Sequence, residues 1–339
     1  RAFTGKDKVA ICGYHGWHFF CATSSTEKDS GRWRWPLPVD TSSYTMRVQE
    51  PTEATLKFCE LNEWDVIVVG DMKTPEKAYK NINCYYINTN EQELLNKKLS
   101  DSIGWNTIQR RNLGFLYAFK EGYEVIASID DDNIPKDNWG KNLYINNEIE
   151  VTVYDTNLDV FDPLSVTDRN DLWHRGYPIQ LLENKNDVVN IGKEKRKVLI
   201  QADLWDGDPD IDAICRLSKM PMVEYKIKEP FCSTKISPFN SQNTFFHRSV
   251  IPHYMVIPHV GRMDDIWGGY ILQQKFKDSL IYNVSTVFQD RNEQDLITNL
   301  EWEIIGYRNT LNFINGSFKL PPKAEKAFID YKDAFVDYL

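Results

Sequence analysis

The chain has 339 residues, a length that suits one large α/β domain or two ordinary ones. Its 49 acidic residues outnumber 40 basic ones, and the formal charge of -9 argues against general attraction to nucleic acid or to an anionic membrane surface. The cysteines form no CxxC pair, so neither a zinc knuckle nor a dense disulfide framework is expected. No apolar run is long enough for a membrane span, which predicts a cytoplasmic protein, or a Golgi-luminal one if an upstream anchor has been removed.

Residues 1 to 43 differ in composition from the rest of the chain. The strand-like run Lys8–Cys12 leads into a His-, Trp- and Gly-rich stretch and then into polar sequence. The first 20 residues resemble a fragment of the class III pyridoxal-phosphate aminotransferases, without the cofactor-binding lysine in its family context. We therefore predict that residues 1 to 43 are an appendage, an aminotransferase-like remnant that is dispensable for the chemistry.

From Tyr44 onward, strand-like and helix-like segments alternate. Strands are predicted at Thr45–Val48, Asp65–Val69 and Val125–Ile129, with helices before residue 61 and over residues 105 to 121. This alternation predicts an α/β fold, a Rossmann-like and mostly parallel sheet flanked by helices, whose ligands bind beyond the carboxyl ends of the strands.

The second half of the chain is more irregular, with helices predicted near residues 265 to 278 and 293 to 307. No clean linker separates the halves. We predict one composite domain over residues 44 to 339, in which residues 44 to 138 bind a nucleotide sugar and residues 139 to 339 face the acceptor.

The acidic triplet Asp130, Asp131 and Asp132 follows the strand that ends at Ile129. Adjacent carboxylates repel one another, and a divalent cation relieves that repulsion. Oxygen ligands suit Mg²⁺ or Mn²⁺, and a diphosphate can complete the coordination shell. We predict Asp130 and Asp132 as metal ligands; the alternative is a solvated turn.

Two basic segments are candidates for holding that diphosphate. Arg110 and Arg111 open the helix before the triplet, where a guanidinium can bind phosphate through two nitrogens. Asp71 and Lys73 follow the strand ending at Val69 and are predicted to contact the nucleoside and the phosphate. The alternatives are a solvated helix face for one arginine and a simple proline-containing turn around Asp71.

Asp264 and Asp265 stand at the predicted start of a helix. One of them either caps the helix through backbone N–H groups or acts on an acceptor hydroxyl as a base. Trp267 offers a stacking face for a sugar.

Further substrate-binding candidates lie in polar, aromatic segments, since loops of this composition tend to carry function on an α/β scaffold. They are Trp205, Asp206, Asp208, Asn240, Gln242 and Asn243. For each of them a structural turn, or satisfaction of buried backbone groups, is the alternative.

In order along residues 44 to 310, these motifs resemble the STELLO-type glycosyltransferases and, more distantly, the reversibly glycosylated polypeptides that act as UDP-arabinopyranose mutases. The resemblance rests on seven segments: Gly70–Pro75, Arg110–Phe115, Asp130–Asp132, Arg175–Pro178, Gln201–Asp212, Phe239–Thr244 and Asp264–Tyr270. It implies a GT-A fold, a nucleotide-sugar donor such as a UDP-sugar, and a divalent cation at the triplet.

The resemblance adds one candidate and has one gap. Arg175 matches the arginine that the mutases glycosylate, which makes it a catalytic candidate. GT-A enzymes often supply a late histidine to the metal, but Val287–Asn292 has none, which leaves Gln289 or Asp290 as substitutes.

The sequence thus predicts a metal-dependent transferase that moves a sugar from a nucleotide-diphosphate donor to a glycan or small acceptor. Two alternatives stay open. One is a nucleotide-sugar mutase, and the other is a non-catalytic scaffold that associates with other enzymes of glycan synthesis.

Overall fold

The computed structural model describes residues 7–13, 51–291 and 294–339, and its main element in these ranges is one eleven-stranded sheet. The predicted strand Thr45–Val48 lies outside the described residues. The strands are β1 Lys8–Gly13, β2 Asp65–Val69, β3 Tyr85–Ile87, β4 Val125–Asp130, β5 Asn133–Pro135, β6 Glu148–Thr156, β7 Val188–Lys197, β8 Ile200–Gly207, β9 Phe231–Ser233, β10 Asn243–His247 and β11 Leu280–Gln289. The helices of the described part are α1 Glu53–Cys59, α2 Thr89–Ile103, α3 Arg111–Lys120, α4 Ala213–Lys219, α5 Asp264–Lys275, α6 Leu296–Ile314 and α7 Pro322–Asp333.

The sheet has a parallel half and a mixed half. Its order is β3-β2-β1-β4-β10-β8-β11-β9-β6-β7, with β5 on β11. The strands β3, β2, β1 and β4 are all parallel, whereas β10 runs antiparallel to both β4 and β8. With helices packed on the sheet, the GT-A-like α/β fold predicted from the sequence is confirmed, and the antiparallel pairs concentrate in the half that follows β4.

The strand β1 occupies the middle of the parallel half. It pairs with β2 on one side and with β4 on the other, and Val9, Ala10 and Ile11 are fully buried. Three consecutive buried apolar side chains are typical of a parallel strand covered on both faces. The prediction that residues 1 to 43 are an appendage is therefore wrong for Lys8–Gly13, because these residues form part of the central sheet. Residues 14–43 lie outside the described residues.

The two faces of the sheet build two separate hydrophobic clusters. Ile11 and Val69 belong to one cluster, whereas Cys12 and Val68 belong to the other. Helix α3 packs on the first face through Gly114, where an added Cβ would approach the side chains of Ile11 and Val69 to 2.7 and 2.8 Å. At the start of α3, Arg111 contacts Asp130 at the carboxyl end of β4.

Most predicted elements of the first half are found with shifts of a few residues, but helices α2, α4 and α7 were not predicted from the sequence. Helix α2 begins with a reciprocal cap between Asn88 and Glu91, and α7 begins with Pro322 in its first turn. None of the helices in the described part of the chain combines the length and apolar character that spanning a membrane would require.

Candidate functional site

The acidic triplet lies at the carboxyl end of β4, as predicted. Asp130 is the last residue of the strand and is 8% exposed, while Asp131 and Asp132 in the following turn are half-buried. The backbone N–H of Asp130 donates to the Gln242 carbonyl (3.2 Å), and the N–H of Asp290 donates to the Asp132 carbonyl (3.0 Å). The triplet is thus fixed between the β10 and β11 segments.

Arg111 binds the triplet from inside the protein. Its side chain is fully buried, and Nη2 donates to Oδ1 of Asp130 at 2.7 Å. Nη1 donates to the Ser128 hydroxyl and to the carbonyl and hydroxyl oxygens of Ser241 at 3.0–3.1 Å. Burial opposes the charged form, yet the Asp130 carboxylate raises the pKa of Arg111. Arg111 therefore neutralises and orients Asp130.

Arg110 does not face a diphosphate. Its guanidinium is fully buried and donates to Gln92 Oε1, to the Ser100 backbone and hydroxyl oxygens and to the Gly104 carbonyl. It also stacks 3.6 Å from the ring centroid of Trp105. The prediction of Arg110 as a phosphate ligand is wrong because its nitrogens hold the loop after α2 in place.

Asp71 likewise organises backbone instead of facing a nucleoside. It is 1% exposed and accepts the N–H groups of Met72, Asn106 and Thr107 at 2.7–2.9 Å. It thereby ties the end of β2 to the segment that leads into α3. Lys73 is exposed beside it, and its contact with phosphate stays a prediction.

Asp265 belongs to a buried ion-pair network with Arg175 and Asp210. Arg175 donates to both oxygens of Asp265 at 2.9 and 3.0 Å and to both oxygens of Asp210 at 2.9–3.1 Å. All three side chains are at least nine-tenths buried. Burial alone would raise the pKa of Asp265, but the Arg175 guanidinium outweighs it and lowers that pKa. Arg175 therefore positions two carboxylates inside the protein.

Asp264, next to Asp265 on α5, has the opposite electrostatics. It is 3% exposed and accepts a 2.6 Å hydrogen bond from Gln109 Nε2. Burial, reinforced by the negative charge of Asp265, raises the pKa of Asp264 to about 7. A carboxyl group with such a pKa can exchange a proton near neutral pH, as general acid–base catalysis requires.

Ser241 joins the triplet to the start of α5. Its carbonyl and hydroxyl oxygens accept from Arg111, and its N–H donates to Oδ2 of Asp265 at 2.9 Å. The hydroxyl also lies 3.2 Å from the same carboxylate oxygen. Asp130 and Asp265 are therefore connected through only two residues, Arg111 and Ser241.

Two predicted substrate residues lie in the core instead. Trp267 is fully buried, its Nε1 donates to the Thr310 hydroxyl at 3.1 Å, and it stacks on Phe313. Asn243 is fully buried and accepts from Nε1 of Trp139 at 3.0 Å. The predictions of a stacking face and of a sugar-binding amide at these positions are wrong, because Trp267 packs in the core and the Asn243 amide makes buried hydrogen bonds.

The other substrate-binding candidates lie on β8, just after it, and just before β10. Trp205 is 3% exposed and meets the ring of His174 edge-on at 5.5 Å. Asp206 pairs with Lys136, Asn240 donates to Asp210 at 2.9 Å, and Gln242 donates to Oε1 of Gln289 at 2.8 Å. Asp208 pairs with Arg216 and its side chain remains 23% exposed, compared with 10% for Asp206, so Asp208 is the more accessible of the two carboxylates.

A metal at this site would need ligands from the bound substrate. Within residues 7–13, 51–291 and 294–339, no three His, Cys, Asp or Glu side chains are arranged to hold a metal ion. Asp130 and Asp132 offer the hard oxygen ligands that Mg²⁺ and Mn²⁺ prefer. Gln289 gives its side-chain oxygen to Gln242, which leaves Asp290 as the exposed carboxylate on that segment. The residues fit a cation that shares its shell with phosphate oxygens.

Sequence reasoning missed Gln109, Ser241 and Asp210. Gln109 directly precedes the Arg110 motif, and the other two lie inside segments that were selected for other residues. Their position in or beside selected segments was the available sequence signal, but only the fold shows that they contact Asp264, Asp265 and Arg175.

Comparison with known proteins gives two relatives. The chain is 23% identical over 250 residues to the probable glycosyltransferase STELLO1 of Arabidopsis thaliana, covering 65% of this chain and 31% of that protein. It is 23% identical over 252 residues to the probable glycosyltransferase STELLO2 of the same plant, covering 66% and 32%. The chain thus spans about a third of the length of these curated relatives. No protein-family model matches it.

Proposed function

Because the chain is a homologue of the STELLO-type glycosyltransferases, we propose that it transfers a sugar from a nucleotide-diphosphate donor, such as a UDP-sugar, to a glycan or small acceptor. The observation that carries this proposal is the connection from Asp130 through Arg111 and Ser241 to Asp265. It couples a strand-end carboxylate, where a donor would bind, to the start of α5, where the neighbouring Asp264 can exchange a proton.

Asp130 and Asp132 would hold Mn²⁺ or Mg²⁺, which would supply charge stabilisation for the leaving diphosphate. Arg111 holds the Asp130 carboxylate in place through a 2.7 Å ion pair. Of the two acids on α5, Asp264 is the proposed base for the acceptor hydroxyl. Asp265 is unsuited to that role because its charge is committed to Arg175.

The ion pairs of Arg175 favour the transferase over the mutase. A glycosylated arginine needs a nitrogen that is free to react with the sugar, but the guanidinium of Arg175 forks between Asp210 and Asp265. We propose that Arg175 positions these carboxylates and carries no sugar.

The test is donor turnover by the purified chain. UDP-, GDP-, ADP- and CDP-sugars are screened with Mn²⁺ by thermal shift, because a specific ligand raises the apparent stability by mass action. Release of nucleoside diphosphate is then measured with and without acceptor glycans.

Asp132→Asn is expected to remove metal-dependent donor binding, whereas Asp137→Asn, an exposed acid nearby, is the matched control. Isomerised donor without acceptor would indicate a mutase. No binding or turnover of any nucleotide sugar would refute the transferase and leave the scaffold.

A further inference from the structure

The segment after β11 carries a basic residue beside the acidic triplet. Gln289, the last residue of β11, is paired with Asn133 just after the triplet, and the next N–H, of Asp290, donates to the Asp132 carbonyl. Arg291 follows directly. Arg291 is therefore the next residue after a segment whose backbone is hydrogen-bonded to the triplet.

The Arg291 side chain is buried, but two of its donors are unused. It is 6% exposed, with Nε 3.9 Å from Asp208 Oδ2 and Nη2 3.7 Å from Asp210 Oδ1. Neither nitrogen makes a hydrogen bond. These separations are too long for hydrogen bonds, so the two carboxylates attract the guanidinium without satisfying its N–H groups.

Other side chains occupy both of these carboxylates. Asp208 accepts from Arg216, and Asp210 accepts from Arg175 and from Nδ2 of Asn240. Buried donors of a charged group that make no hydrogen bond cost free energy. The acceptor atoms of a bound ligand would remove that cost.

We propose that Arg291 binds the diphosphate of the nucleotide donor, an inference that rests on the proposed function. A guanidinium is always protonated and cannot ligate a cation, but its planar fork matches two phosphate oxygens. Arg291 would thus bind the phosphate partner of the metal and not the metal itself.

The experiment measures binding of a nucleoside diphosphate and of the matching monophosphate. UDP, GDP, ADP and CDP are tested on the wild type by calorimetry with Mn²⁺, and the tightest of them and its monophosphate are then titrated into Arg291→Gln and Arg291→Lys. Arg308→Gln, on the exposed face of α6, is the charge-matched control. Melting temperatures without ligand are recorded for every variant.

Arg291→Gln is expected to weaken diphosphate binding at least tenfold while monophosphate binding changes less than twofold. Arg291→Lys should give a smaller loss because it keeps the charge without the fork, and this variant decides the matter if the glutamine variant does not fold. Unchanged diphosphate affinity, or equal losses for both nucleotides with a lowered melting temperature, would overturn the assignment and leave Arg291 a structural residue. A wild type that binds no nucleotide would refute the proposed function instead.

Discussion

Asp264 and Asp265 are neighbours on α5, yet replacing each with Asn is expected to change the protein's free energy of unfolding in different ways. In Asp265→Asn, the guanidinium of Arg175 loses a charged partner that it contacts at 2.9 and 3.0 Å. Breaking a buried ion pair by removing one partner costs about 3–5 kcal/mol. Since Asp210 still pairs with Arg175, the free energy of unfolding is expected to fall by about 3 kcal/mol.

Asp264→Asn should instead preserve or raise the free energy of unfolding at pH 8. Burial first, then Asp265, raises the pKa of Asp264 from 3.8 to about 7, so the native state binds more protons than the unfolded state between these values. The stabilisation from Asp264 is therefore present at low pH and lost as pH rises through about 7. At 1.36 kcal/mol per pKa unit, ionising Asp264 in the native state costs at most about 4 kcal/mol. Asparagine is neutral and still offers an oxygen to Gln109.

Urea unfolding of both variants at pH 5.5 and pH 8, with turnover and donor affinity measured in parallel, tests this reasoning. Asp264→Asn should lower turnover by about 10²-fold or more with donor affinity preserved, because the amide keeps the shape and loses the basicity. Equal destabilisation by the two variants would show that the charges are assigned wrongly. Full turnover in Asp264→Asn would place the base elsewhere.

Three other changes test the fold and the core assignments. Deleting residues 1–13 should abolish cooperative unfolding by circular dichroism, because β2 and β4 both lose their parallel neighbour; a stable truncated chain would contradict the place of β1. Trp267→Ala should lower the free energy of unfolding by about 3–5 kcal/mol while donor affinity per folded molecule is unchanged, and a selective loss of affinity would restore the stacking role. Asp203→Asn should flatten the fall in stability between pH 4 and pH 8, because burial raises the pKa of Asp203 from 3.8 to about 7; an unaltered slope in urea titrations would rule this group out.

The sequence predicted elements that are locally encoded. The strands β2 and β4 are apolar runs, and the sequence predicts both to within one residue. The start of α2 had a readable signal as well, since Asn88 and Glu91 form a capping box. By contrast, Lys8–Cys12 was read as a strand, but its partners lie far along the chain and no local pattern identifies them.

The sequence identified the segments that form the site, but it did not show which side chain in each segment makes which contact. Arg110 and Arg111 are adjacent residues of the same type, and both are fully buried, yet only Arg111 contacts Asp130. Asp264 and Asp265 differ because successive residues of a helix point about 100° apart, which directs Asp265 at Arg175 and Asp264 at Gln109. Such distinctions depend on side-chain direction, which a one-dimensional pattern does not contain.

The position of β1 also bears on how the chain reaches its native state. In the finished sheet, β4 lies between residues 8–13 on one side and residues 243–247 on the other. Both neighbours are distant in sequence, so loop-closure entropy must be overcome before either pairing stabilises the chain. During synthesis from the amino terminus, β1 and β4 would leave the ribosome long before β10, and β4 would present an unpaired apolar edge in the meantime. Slow refolding with a concentration-dependent yield is the expected kinetic signature of this strand order.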